Sequence, residues 1–296
     1  FAEPARRTSA PARTDIPGRP SGGIGDLLED LYLALNHRRF VHPDPLEFLY
    51  LYPEPGDREI VALLASCLAY GRVAQILSSV RAVLDVLGPS PRDYLAAVEP
   101  ASLRRELSAF RHRFTTGQEL ASVLLGAAGV IARFGSLGEC LKLSLTSCNA
   151  ESRTLLPALE SMVGSILGHA GLSCSYLLPR PSMGSACKRL NLMLRWMIRR
   201  DEVDPGGWEF ASPGMLVVPL DTHMFRAGRL LGFTCRSSAD MRCALDITEG
   251  FRSLSPEDPV RYDFALTRLG IRPDGPRLED LERAIREAGL RTQASS

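Results

Sequence analysis

Gly184-Ser185-Ala186-Cys187-Lys188-Arg189-Leu190-Asn191-Leu192-Met193-Leu194-Arg195-Trp196-Met197-Ile198-Arg199-Arg200 carries Leu190, Met193, Leu194 and Met197 as one apolar stripe. That spacing is the period of a helix with a single buried face. It predicts a helix over 185–200, led in by the turn-rich Pro179–Gly184 and capped by Ser185 or Ser182. The same period recurs along most of the chain. Leu27, Leu28, Leu31 and Leu35 mark a helix over 26–36. Asp57 is expected to cap a strongly apolar helix that ends at Tyr70-Gly71, and a second helix follows from Arg72 to Leu87 and stops at Gly88-Pro89. Further helices are predicted over 118–134, 153–168, 222–231, 239–254, 258–269 and 278–288. Only Met215–Val218 reads as extended, and four residues do not make a sheet. The expected fold is all-α, with two helical lobes and a cleft between them.

Three parts follow. Residues 1–23 are rich in Pro, Ala, Arg, Ser and Gly without apolar periodicity, the pattern of a disordered basic tail. An Arg-rich, acid-poor start also fits a transit peptide, although its prolines oppose an amphipathic helix. The chain starts at Phe1 rather than Met, as a trimmed or partial chain would. Residues 24–272 form the helical domain, with a hinge expected near 147–152, and 273–296 form a last helix and tail.

Hydrophobic residues at 45% and charged residues at 23% describe an ordinary globular protein. No apolar run reaches the ~18 residues of a membrane span. The net charge of +1 excludes a wholly basic protein but allows a local basic face. Between Arg180 and Arg236, nine Lys/Arg stand against five Asp/Glu, a modest nucleic-acid footprint. The seven cysteines (67, 140, 148, 174, 187, 235, 243) form no C-x-x-C pair. They read as reduced thiols of a cytoplasmic protein, with neither a metal centre nor an iron–sulfur cofactor expected.

Of 35 Lys and Arg residues only Lys142 and Lys188 are lysine. Arginine replaces lysine in most surface roles, but it cannot lose its proton and attack carbon. Lys188 falls in the first turn of its predicted helix, near the positive end of the macrodipole and beside Arg189. Both settings favour the neutral amine. The bland alternative is a lysine lying over the core with its ammonium in water. The second element is Val217-Val218-Pro219-Leu220-Asp221-Thr222-His223-Met224-Phe225-Arg226. Here Asp221 ends an apolar run and can cap the next helix while staying ionised.

The stretch from Pro219 to Gly232 resembles the V-D-T-H-V-x-R-V-x-x-R-L-G segment of the helix–hairpin–helix DNA glycosylases. Ala62–Ala69 followed by Tyr70–Gln75 is similar to the early helix that helps form their base pocket. The strings G-S-A-C-K-R-L-N-L-M-L-R-W-M-I-R-R-D and D-P-V-R-Y-D-F-A-L-T-R-L-G resemble a bacterial branch of that superfamily, itself similar to the archaeal 8-oxoguanine glycosylases. The likeness spans roughly 26–272. The usual hairpin L-P-G-V-G-x-K-T-A is missing; Pro181–Gly184 is at best a remnant. The Lys-to-Asp separation of 221 − 188 = 33 matches the archaeal branch.

The resemblance implies a monomeric, cytoplasmic base-excision enzyme acting on DNA, in which Lys188 attacks C1′ of a flipped-out oxidised purine and Asp221 assists. It also supplies candidates for the surrounding positions. Gln75 would read the base edge, Asp258 or Asp263 a ring N–H, and Tyr262 or Trp208 would stack. Arg72, Arg195 and Arg199, with the backbone around Gly184 and Ser185, would hold phosphates. Arg226 and Arg229 are equally suited to pairing with carboxylates. Two other readings stand beside it. One is a catalytically silent DNA-binding or scaffold protein of the same fold. The other is a metal-dependent phosphohydrolase using His42, Asp44, Asp221 and His223.

Overall fold

A computed structural model describes residues 23–147, 152–269 and 277–287. Residues 1–22 of the expected tail and 148–151 of the hinge expected near 147–152 lie outside these residues. The first helices are α1 (Ile24–Leu35), α2 (Pro55–Cys67), α3 (Val73–Leu87), α4 (Pro91–Ala97) and α5 (Pro100–Glu106). A small hairpin of β1 (Arg111–His112) and β2 (Thr115–Thr116) comes next. Then come α6 (Gly117–Phe134), α7 (Leu137–Ser147), α8 (Leu156–His169), α9 (Lys188–Ile198), α10 (Thr222–Leu230), α11 (Met241–Leu254), α12 (Asp263–Arg268) and α13 (Leu278–Glu287). The all-α reading holds. No single helix among the described residues is long and apolar enough to cross a membrane.

Several helix ends differ from the sequence reading. α2 begins at Pro55, whose missing N–H costs nothing at the first helical position. Asp57 therefore sits inside α2, and its carboxylate accepts the Ser90 hydroxyl and the Arg92 N–H at the start of α4. Met215–Val218 joins no strand, and Leu216 to Leu220 runs as buried irregular chain into α10. The true strand pair, around Arg113, escaped the period test because two-residue strands carry no measurable alternation. The predicted helix over 258–269 is helical only from Asp263, after a run of turns.

Apolar stripes from nearly all of these helices meet in one continuous core, from Leu27 to Ile285. α6, α7 and α8 pack on one another, α2 packs on α9, and α12 packs on α1 and α10. Close approach replaces side-chain bulk at Gly117, where a Cβ would lie 1.7 Å from the Leu107 carbonyl oxygen. Glu59 is an internal polar joint, 2% exposed. Its carboxylate accepts the Leu137 and Gly138 N–H groups at the start of α7 and the Trp208 indole N–H at 3.1 Å. Trp208 is thus committed to the core against Gly138, on a different part of the molecule from Lys188.

Candidate active site

α9 starts at Lys188, behind Cys187, whose backbone takes the left-handed conformation (φ 48°). Neither Ser182 nor Ser185 caps it; the Ser185 hydroxyl instead accepts the Cys187 N–H at 3.3 Å. Lys188 is the first residue of the helix and stays partly exposed, while Arg189 turns inward. The Arg189 guanidinium donates to the Cys67 and Tyr176 carbonyls and lies between the Tyr70 and Tyr176 rings. The like charge expected beside Lys188 is therefore directed elsewhere.

Asp221 caps α10 as its position after an apolar run predicts. Its Oδ1 accepts the His223 N–H at 2.9 Å and the Met224 N–H at 2.8 Å. The other oxygen, Oδ2, lies 3.6 Å from the Lys188 Nζ, and both side chains remain partly open to solvent. One carboxylate thus fixes a helix end with one oxygen and faces an amine with the other. The first turn of α9 and the N-terminus of α10 bring together residues that stand 33 positions apart.

Lys188 and Asp221 share a cleft of about 240 Å³, near the lower end of small-molecule sites (~300 Å³). Its walls are largely apolar: Pro43, Pro45, Ala69, Val73, Ile76, Leu192, Trp196, Pro219 and Phe264. Asp44, Arg195, Asp263, Thr267 and Arg268 add polar groups. Of the two tryptophans, Trp196 lines the cleft and Trp208 does not. Phe264, Thr267 and Arg268 escaped the sequence reading, although a helix beginning at Asp263 puts Thr267 one turn later on the same face. The sequence offers Asp44 only as a metal ligand. In the structure it caps the 3₁₀ turn Pro45–Leu51 and holds Arg268 at 2.8 Å.

The remaining candidates separate. Asp263 belongs to the cleft and is 2% exposed. Burial pushes its carboxyl up to about 6, against the opposing pull of Arg195 and with help from Asp221. Its Oδ2 pairs with Arg195, while Oδ1 has no hydrogen-bond partner; the Nε of Arg268 is the other unpartnered polar atom among the buried cleft residues. Each such atom costs about 1–3 kcal/mol while unmet. Gln75 is exposed on α3, outside the cleft lining, and Arg72 is exposed at the start of α3 beside the lining residue Val73. Gly184 and Ser185 are exposed, but the Gly184 N–H is spent on the Pro181 carbonyl and the Cys187 N–H on Ser185. Tyr262 is a core residue whose hydroxyl donates to Glu29. Asp258 lies outside the cleft and accepts the Arg199 Nε at 2.9 Å.

Arg195 and Arg199, expected at phosphates, are each 3% exposed. Arg195 holds Asp204 and Asp263; Arg199 holds Asp201, Asp204 and Asp258. Burial works against both charges, yet the facing carboxylates outweigh it and raise both guanidinium pKa values. The count of cations suggests a basic face, but three of the nine, Arg189, Arg195 and Arg199, are internal. The phosphohydrolase set does not assemble either: His42 meets Glu47 at 2.7 Å, and no group of three or more metal-ligating side chains occurs among the described residues.

A pH effect follows from Asp263. Its folded-state pKa lies above the ordinary carboxylate value of 3.8, so between about pH 4 and 6 the native state holds a proton that the unfolded chain has released. Stability therefore falls as pH rises through that window and levels off above it. In Asp263→Asn this downward component should vanish from thermal melting measured at steps between pH 4 and 7.5. An unchanged profile would show that Asp263 does not titrate there.

Residues 44–272 match the model of a family described as a protein of unknown function (DUF2400). No curated protein matches the chain, and no solved structure does.

Proposed function

We propose that this chain, which belongs to the DUF2400 family, is a DNA base-excision glycosylase with abasic-site lyase activity. The observation that carries this reading is the approach of the Lys188 amine to within 3.6 Å of Asp221 Oδ2 in an apolar-walled cleft. A partly open amine beside a carboxylate that is already anchored through its other oxygen is an arrangement for nucleophilic catalysis. The resemblance of the 185–232 motifs to the helix–hairpin–helix glycosylases supplies the substrate: an oxidised purine, of the 8-oxoguanine kind, flipped out of DNA.

In this mechanism Lys188 gives a proton to Asp221, and its free amine attacks C1′ of the extruded nucleotide. The C1′–N bond breaks and the base departs, taking up a proton. The sugar ring opens as the Lys188 nitrogen gives up a proton to the ring oxygen and the C1′–O bond is replaced by a protonated imine on Lys188. Loss of a C2′ proton then expels the 3′ phosphate by β-elimination. The proton that Asp221 received leaves with the departing base, and the restored carboxylate offsets the positive charge that grows on the sugar. Asp263 Oδ1 and Arg268 Nε, an acceptor and a donor left unpartnered, suit the edge of a bound heterocycle, and Trp196 and Phe264 provide apolar walls. The cleft would divide two helical lobes, and the protein would work as a monomer on cytoplasmic, nucleoid DNA.

Borohydride reduction in the presence of duplexes carrying 8-oxoguanine, uracil or an abasic site tests the reading. A covalent protein–DNA adduct is expected with the abasic site and with 8-oxoguanine. Folded protein that traps on none of the three would instead be the catalytically silent DNA-binding or scaffold protein.

A further inference from the structure

We infer that the β1–β2 hairpin carries an aromatic–arginine contact element, Arg113 and Phe114, that stacks into the DNA gap left when a nucleotide enters the Lys188 cleft. This inference rests on the proposed DNA substrate and adds a surface to it. Phe114 is 70% exposed at the turn of a hairpin whose other parts are firmly held. His112 is fully buried, with its ring bonded to the Ser79 hydroxyl at 2.9 Å and the Tyr70 carbonyl at 3.0 Å. The Tyr70 hydroxyl in turn donates to the His112 carbonyl at 3.0 Å and lies 2.6 Å from the Thr115 hydroxyl. An apolar ring on a loose loop would be unremarkable; this one is mounted on a braced turn.

The mounting is also the cleft wall. Ala69 and Val73 line the cleft, and the residues between them grip the hairpin. Gly71, at φ 99°, has no Cβ where one would stand 2.8 Å from Arg113 Cδ, so Arg113 crosses directly over the chain at the cleft rim. The Arg113 guanidinium lies 5.3 Å from the Phe114 ring centre, and Arg113 itself has the left-handed φ of 51°. That conformation is unfavourable for arginine, and it sets the turn that presents Phe114.

Arg72, Arg111 and Arg113 are all exposed here, and neither 70–73 nor 111–116 contains an acidic residue. Tyr176, 58% exposed, extends the aromatic surface through its edge contact with Tyr70, on the side where Arg189 joins α9. Interleaved arginines and exposed aromatic faces fit a polyanion with unstacked bases. Extruding a nucleotide creates such bases next to the cleft, and an inserted apolar ring restores the lost stacking.

The test measures binding of the full chain to a duplex with one tetrahydrofuran abasic analogue and to the same duplex undamaged, by fluorescence anisotropy. Phe114→Ala should weaken binding to the tetrahydrofuran duplex at least tenfold and to the undamaged duplex less than threefold. Phe114→Tyr should restore the affinity to within threefold. A smaller loss in Phe114→Ala, equal losses on both duplexes, failure of tyrosine to rescue, or wild-type protein without preference for the tetrahydrofuran duplex overturns the inference. So does a dimer that Phe114→Ala dissociates without changing DNA affinity, which would make the ridge a contact with a second copy. Wild-type protein that shows the Phe114-dependent preference but traps no adduct sinks the enzymatic reading and leaves this one standing.

Discussion

Lys188→Gln is expected to abolish the borohydride adduct, lowering trapping by on the order of 10³-fold or more. Glutamine preserves most of the stem that lies in the cleft but has no amine to form an imine. Lys142→Gln is the control. Lys142 is half exposed and pairs with Glu139, at 3.2 Å on its own helix, so trapping should stay within about twofold. Asp221→Asn separates the two duties of that side chain. An amide oxygen can still accept the His223 and Met224 N–H groups, which keeps the cap. What disappears is the charge and basicity of the oxygen facing Lys188. A loss of about 10²–10⁴-fold in trapping rate with little change in melting temperature is expected. An adduct that survives Lys188→Gln would place the nucleophile elsewhere.

Which residues the sequence made legible follows from what determines each position. Lys188 stands out in the sequence as one of two lysines among 35 cations, and Asp221 because it follows an apolar run before a helix; both then fall at helix termini, which leave local marks. The helical period likewise located most of the core stripes. Arg195 and Arg199 were misplaced because a cation buried against carboxylates and a cation facing solvent look identical in one dimension. Their principal partner, Asp204, lies only nine and five residues away, but on a turn beyond the helix end where no periodic rule links them. Trp208 is expected to stack in the cleft, but the tryptophan that lines it is Trp196, which is itself a buried core residue. Deciding between them required knowing that Glu59, about 150 positions earlier, holds the Trp208 indole. Long-range pairing of that kind is what a single sequence conceals.

Asp204→Ala is expected to be the most destabilising single substitution in the cleft's support. Asp204 is fully buried, and its carboxylate accepts from both Arg195 and Arg199. Removing it leaves two guanidinium groups, each 3% exposed, with fewer carboxylates to balance them. Losing one partner of a buried ion pair costs about 3–5 kcal/mol, chiefly because the remaining charge stays desolvated. Urea unfolding followed by circular dichroism should show a loss of that size. Glu209→Ala provides the contrast: its pair with Arg200 is highly exposed, with side chains 83% and 76% open, and its removal should cost under about 1 kcal/mol. The comparison also separates support from DNA contact. Were Arg199 a phosphate ligand, Arg199→Gln would lower the salt dependence of DNA binding and leave folding intact. A core position predicts the opposite: lost stability, and an unchanged salt slope in the protein that remains folded. A stable Asp204→Ala protein would show that water reaches this network.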